Sequence, residues 1–113
     1  MNSTLSISQP AFAVIGAGHG GTAMAGHLSL MGFDVSLYNR SSDRIRAIQE
    51  SGGIEIIANS DNIPHGFTDL RIVTSSIAEA VKGRDVIMVV VPATGHRFIA
   101  EQISPYLEDN QII

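Results

Sequence analysis

Three glycines at i, i+2 and i+5, Gly16, Gly18 and Gly21, stand in the run Gly16-Ala17-Gly18-His19-Gly20-Gly21. An apolar run, Phe12-Ala13-Val14-Ile15, comes before them, and Thr22 to Met31 follows with the character of a helix. Each glycine has a physical use. Gly16 permits a tight turn out of a strand, Gly18 lets the backbone approach a pyrophosphate, and Gly21 lets the helix lie close on the strand. The N–H groups at the helix start, those of His19 and Gly20 among them, act with the helix dipole to favour an anion there. The glycine pattern alone is weak. With a strand before it, a helix after it and a second strand at the right distance, it indicates a dinucleotide site. A turn that only packs a helix on a sheet would leave the spacing of the glycines without a reason.

Eighteen residues after Gly21, at the end of the second expected strand, the chain carries Asn39-Arg40-Ser41-Ser42. An acidic residue at this place would accept hydrogen bonds from a ribose 2′-OH and repel a 2′-phosphate. Here an amide, a guanidinium and hydroxyls replace it, a reasonable cradle for a 2′-phosphate. The expected cofactor is therefore NADP in preference to NAD, held through Asn39, Arg40 and Ser41. The other reading of Arg40 is a guanidinium stacked on an adenine face or simply solvated. Asp43 is assigned to helix capping.

A second cluster follows the apolar run Val86 to Val91. Ligands of open α/β sheets sit beyond the C-terminal ends of strands. Val91, Pro92 and Ala93, with Thr94, are expected to line the nicotinamide side of such a crevice. His96 is the one candidate there for chemistry, and a histidine at a helix start bonded to backbone is an equal reading. In His19 the backbone N–H matters more than the ring. His27 is expected to pack against the sheet and His65 to sit on a loop surface.

These residues need elements to position them. Ala11 to Ile15 is expected as the first strand, and a helix from His19 or Gly20 to Met31 should face it with Ala23, Met24, His27, Leu28 and Met31. Asp34 to Tyr38 is the second strand, with Val35 and Leu37 on one face and Ser36 and Tyr38 on the other. Ser42 or Asp43 should cap a helix from Arg44 to Ser51, ended by Gly52-Gly53. Ile54 to Ala58 and Thr68 to Thr74 read as strands around a turn-rich Asn59 to Gly66; they pair with each other, or only the second joins the main sheet. Ser76 to Val81 reads as a short helix. Asp85 to Val91, apolar on both faces, reads as a central parallel strand. A helix from Thr94 to Ser104 closes at Pro105, and Gln111-Ile112-Ile113 begins another strand. Met1 to Pro10 is expected to be a flexible leader.

Strands alternating with helices predict an α/β, Rossmann-type doubly wound parallel sheet over residues 11–113. The chain holds the first half of such a sheet and enters the second, as expected for a fragment without its C-terminal substrate and catalytic domain; the alternative is a small complete domain with a short last strand. A fragment of this kind should be inactive and prone to self-association as a homo-oligomer through open strand edges.

Composition narrows the partners. With 44% hydrophobic and 16% charged residues the 113-residue chain has the balance of a folded domain. A net charge of −4 and a single lysine, Lys82, leave no basic stripe for nucleic acid. No cysteine is present, and the four histidines lack zinc-like spacing, so no metal site is expected. No apolar run reaches the ~20 residues of a membrane helix, and the N-terminus lacks a signal-peptide pattern. A cytoplasmic protein without a membrane partner is the expectation.

The stretches VIGAGHGGTAMAGHLSLMGFDVSLYNRS (Val14 to Ser41) and VVVPATGHRFIAEQISPYLEDNQII (Val89 to Ile113) resemble the N-terminal NAD(P)-binding domain of the opine (octopine/nopaline) dehydrogenases. The resemblance covers most of the chain and is weakest from Gly53 to Phe67. The first stretch is shared with the glycerol-3-phosphate dehydrogenase, ketopantoate reductase and 6-phosphogluconate dehydrogenase group; the second is more distinctive, although Gly95 stands where the family often has alanine. The resemblance implies reductive condensation of an amino acid with a 2-keto acid, using NADPH or NADH. It also implies that the catalytic groups belong to a following helical domain, so no catalytic residue is carried over. A ketopantoate reductase-like or glycerol-3-phosphate dehydrogenase-like reductase is the nearest rival, and a non-catalytic dinucleotide-sensing module is the rival of another class.

Overall fold

The computed structural model describes residues 9–56 and 66–113. The expected leader as far as residue 8 and the turn-rich segment 57–65, with His65, lie outside the described residues. Strand β1 (Phe12–Ile15), helix α1 (His19–Leu30) and strand β2 (Val35–Tyr38) form a strand–helix–strand unit with the strands parallel, Phe12 beside Val35 and Ile15 beside Tyr38. Helix α2 (Ser42–Ser51) follows. Strands β3 (Gly53–Ile56) and β4 (Gly66–Asp69) pair antiparallel as a separate small sheet. Strand β5 (Ile72–Thr74), helix α3 (Ile77–Val81), strand β6 (Val86–Val89) and helix α4 (His96–Ile103) complete the order. The main sheet runs β5-β2-β1-β6, all parallel. This is the Rossmann-type α/β arrangement that the strand and helix alternation predicts.

Both faces of the sheet are covered, because successive side chains of a strand leave on opposite sides. Val14, Val35 and Leu37 pack with Ala25 of α1 and Ile45 of α2. Ala13, Ile15 and Tyr38 pack on the opposite side with Ile77, Val81, Ile99 and Ile103. Each large side chain fully buried this way, Leu37 or Ile45, contributes roughly 1.5–3 kcal/mol. The expected alternation in β2 holds, but its Ser36/Tyr38 face is buried too, and the Ser36 hydroxyl is satisfied by donating to the Ala80 carbonyl at 2.6 Å.

Several expectations are corrected. Helix α1 does not rest on Met24 and Met31, which are exposed, as is Ala23. It rests on Gly21, Ala25 and Gly26, with His27 and Leu28 half-buried. The helix lies too close for larger side chains: a Cβ at Gly21 would strike the Gly16 carbonyl, and one at Gly26 would stand 2.6 Å from Ile56 Cδ1. Helix α2 begins at Ser42 with Ser41 as its N-cap residue, while Asp43 lies in the first turn and pairs with Arg46 at 3.2 Å.

The stretch Thr68 to Thr74 is two strands, not one. Thr68 and Asp69 are held on α1 by the Ser29 hydroxyl, whereas Ile72 to Thr74 hydrogen-bond to β2. A single straight strand cannot serve both partners, so the chain bends at Leu70-Arg71. Both pairings weighed from sequence therefore occur, each with half of the stretch.

Strand β6 is shorter than Asp85 to Val91 and is bordered on one side by β1. On its other side Ile112 makes a parallel bridge to Val86, at the strand start expected from Gln111. Only Ile87 is deeply buried within it, because its outer edge has so little cover. No helix among the described residues is long and apolar enough to cross a membrane.

Candidate functional site

The site is built at the C-terminal ends of β1, β2 and β6. Leaving β1, the chain turns at Gly16 with φ of 118°, a conformation side chains rarely adopt. A Cβ there would also meet the Val90 carbonyl and stand 2.9 Å from Val91 Cγ1. The Gly16 N–H donates to the Tyr38 carbonyl at 2.8 Å, which ties the turn to the end of β2. The Thr22 hydroxyl donates back to the Ala17 carbonyl at 3.1 Å and closes the turn from above.

Gly18 is the N-cap residue of α1, and among the described residues no side-chain cap hydrogen bond is made to this helix end. A Cβ at Gly18 would meet nothing within 4 Å. The first N–H groups of a helix have no intrahelical acceptor. Here His19 and Gly20 are exposed, so this end of the helix is open to an anion.

The end of β2 lies beside the turn. Asn39 accepts the Ala17 N–H through Oδ1 at 3.0 Å and donates from Nδ2 to the Ser41 carbonyl at 3.2 Å. Its amide is therefore engaged within the protein. Arg40 is exposed and lays its guanidinium 4.5 Å from the centre of the Phe98 ring, a cation–π contact. Between them opens a cavity of about 350 Å³, bounded by Gly16, Asn39, Arg40, Val91, Thr94 and Phe98. Tyr38 also borders it; burial pushes its phenol above the usual value, and the nearby Arg40 charge works in the opposite direction.

Gly16, Asn39, Arg40 and Val91 thus come together around one cavity, while Gly18 faces another on the α1 side of the turn. Ser41 is exposed at the start of α2. Pro92 is exposed, and its carbonyl accepts the Gly95 N–H in the 3-10 turn that Ala93 begins. Val91 and Thr94, which follow β6, share their cavity with Asn39 and Arg40, which follow β2. His96 Nε2 lies 3.2 Å from the Val91 carbonyl, the backbone-bonded reading of that histidine.

Two other cavities are larger. One, about 380 Å³, lies on the α1 and α2 side and includes Gly18, His19, Thr22, Arg44 and Glu55. Another, about 820 Å³, lies away from the turn along β6 and α4 and is lined by apolar groups such as Met88, Ile99, Ile103 and Ile112. It carries His96 but no glycine of the turn, so its size does not make it the site. Among the described residues no three side chains gather as metal ligands.

Sequence reasoning did not assign Phe98 to the site. It lies 58 residues from Arg40, and only the parallel order β2-β1-β6 brings the two together. A lone aromatic in the first turns of the helix after Pro92 was the available signal.

Residues 11–113 match the family described as NAD-dependent glycerol-3-phosphate dehydrogenase N-terminus. An opine dehydrogenase of Arthrobacter sp. is 39% identical over 107 residues, 95% of this chain and 29% of that protein. An NAD(P)-dependent glycerol-3-phosphate dehydrogenase of Neisseria gonorrhoeae is 36% identical over 94 residues, 82% of this chain and 27% of that protein. Among solved structures, octopine dehydrogenase with NADH and pyruvate superposes with a TM-score of 0.79 at 20% identity, over 91% of this chain and 28% of that one, which is a likeness of fold. The chain spans less than a third of the length of these relatives.

Proposed function

Because the chain belongs to the family of NAD-dependent glycerol-3-phosphate dehydrogenase N-terminal domains, we propose that it holds a nicotinamide dinucleotide for an opine dehydrogenase-like oxidoreductase. The observation that carries this reading is the uncapped start of α1 above an open Gly18, beside the cavity between Arg40 and Val91. The N–H groups of His19, Gly20 and Gly21 receive the pyrophosphate. Arg40, steadied by Phe98, and Ser41 receive the adenosine end, with NADP preferred because no carboxylate stands at the end of β2. Val91, Pro92 and Ala93 border the path of the cofactor toward the nicotinamide end. When bound, the cofactor supplies a hydride; this chain's own residues bind, orient and exclude water.

The substrates of this reading are an amino acid and a 2-keto acid, which condense to an imine that accepts the hydride. The group that exchanges a proton with the imine is assigned to a following domain, in keeping with the length of the relatives. His96 is not given that role, since its ring already meets a backbone carbonyl. Self-association through the sparsely covered edge of β6 and a cytoplasmic location complete the reading. The family description and the Neisseria relative favour a second reading, reduction of a small phosphorylated ketone. The relatives lend no support to the sensing alternative.

The deciding assay follows NADPH and NADH oxidation by the intact protein. Pyruvate with a panel of amino acids is compared with dihydroxyacetone phosphate. Turnover in the first mixture only, faster with NADPH, is expected. Turnover confined to the phosphorylated ketone replaces the first reading by the second.

A further inference from the structure

We propose that Asn39 is a positioning residue and not a ligand of the cofactor: it locks the glycine turn to the loop after β2 and sets the spacing between the two ends of the site. This inference rests on the dinucleotide site proposed above.

Both side-chain partners of Asn39 are main-chain groups. The Ala17 N–H, 22 residues away, donates to Oδ1, and Nδ2 donates to the Ser41 carbonyl, two residues on. A donor on one side and an acceptor on the other admit a single orientation of the amide. The backbone of Asn39 is fixed as well, its N–H donating to the Thr74 carbonyl at 3.2 Å. One residue therefore joins β5, the end of β2, the glycine turn and the start of α2. Ala17 is 3% exposed, so its N–H would lose its acceptor in a dry place if the amide were removed.

The two ends of the lock are the two ends of the proposed site. Ala17 lies between Gly16 and Gly18, next to the pyrophosphate position, and Ser41 follows Arg40 at the adenosine position. A dinucleotide bridges both, so its affinity depends on their spacing. With the Asn39 amide oriented by its bonds to Ala17 and Ser41, we assign discrimination between NADP and NAD to Arg40 and Ser41. An amide that touched the 2′-phosphate directly would behave differently: its loss would weaken NADP and spare NAD.

The test uses the intact protein with Asn39→Ala and Asn39→Asp. Two quantities are measured: NADP and NAD affinity, and hydrogen exchange of the Ala17 amide without nucleotide. Asn39→Ala, which removes two hydrogen bonds, should weaken NADP and NAD by the same factor, about tenfold or more, and accelerate exchange at Ala17. Asn39→Asp keeps an oxygen for Ala17 and loses the donor to Ser41, so protection of the Ala17 amide should return while the Ser41 end stays unlocked. Selective loss of NADP in Asn39→Ala, or unchanged exchange at Ala17, overturns the proposal. Should Asn39→Ala not fold, Asn39→Asp decides alone: Ala17 exchanging as fast as in an unprotected amide sinks the lock. If the wild type binds neither nucleotide, the site reading fails by itself, and the exchange comparison still judges the lock.

Discussion

The segment from β1 to β2 and the segment from β6 to α4 serve the same crevice by different means. In the first, Ala13, Val14 and Ile15 are fully buried, and the turn is shaped by main chain meeting main chain: Gly21 under the Gly16 carbonyl, Gly16 against the Val90 carbonyl. In the second, Val89, Val90 and Val91 are half-buried, Pro92 is exposed, and beyond the Val90 carbonyl the contacts run through side chains: the Val91 methyls beside Gly16 and the Phe98 ring beside Arg40. Backbone contacts leave no freedom to relax, since no rotamer change can make room. Side-chain contacts can be remade. The first segment should therefore fail abruptly when atoms are added, and the second should yield by degrees.

The largest effect tests that contrast at its strongest point. Gly21→Val places a branched side chain against the Gly16 carbonyl, and the expected loss of stability is about 3 kcal/mol or more, above the usual range for overpacking. Urea unfolding would show it as a large fall in midpoint; a midpoint close to wild type would mean that α1 can lift off the strand. Gly18→Val comes next and separates binding from folding in the same turn. Its Cβ meets nothing, so unfolding should move little, while dinucleotide affinity falls by about 2–3 kcal/mol, the value of a hydrogen bond to a charged group. Calorimetric titration yielding the wild-type constant would remove the pyrophosphate from this turn.

Smaller effects are expected where side chains do the positioning. Arg40→Ala should weaken NADP by roughly 1.5–3 kcal/mol and NAD by much less. Equal losses for both nucleotides would reassign Arg40 from the 2′-phosphate to the adenine. Phe98→Ala should cost NADP only about 0.5–1 kcal/mol, the scale of an exposed cation–π contact that steadies the guanidinium. A loss as large as that of Arg40→Ala would show the ring acting on the cofactor itself, and the contrast between the two segments would narrow.

The errors in reading the sequence have a common cause. The stripe assigned to α1 was read from helical spacing and took in Met24 and Met31, because apolar character signals burial when nothing constrains the distance between elements. Here that distance is set by Gly21 and Gly26, so small residues face inward and Met24 and Met31 face out. The stretch from Thr68 to Thr74 shows no break in its own composition. It divides because α1 offers Ser29 to one half and β2 offers a strand edge to the other. Asn39 was read as a donor toward the ligand; the structure adds what its type alone does not show, an Oδ1 that accepts from a turn 22 residues earlier and an Nδ2 that donates to the Ser41 carbonyl.

What the sequence determined by itself was local. The spacing of Gly16, Gly18 and Gly21 between an apolar run and a helix already specified the turn: Gly16 takes a φ that side chains rarely adopt, a Cβ at Gly21 would strike the Gly16 carbonyl, and Gly18 leaves open space. Alternating strands and helices specified the parallel sheet, and the missing carboxylate at the end of β2 was visible at position 39. The tertiary structure alone decided which distant groups meet there. The β5-β2-β1-β6 order sets Phe98 under Arg40 and Val91 over Gly16, and the bend at Leu70-Arg71 gives one strand to each sheet. These pairings join residues tens of positions apart, and no local propensity encodes them. They follow from burying both faces of one sheet at once, a condition that belongs to the whole chain and to no segment of it.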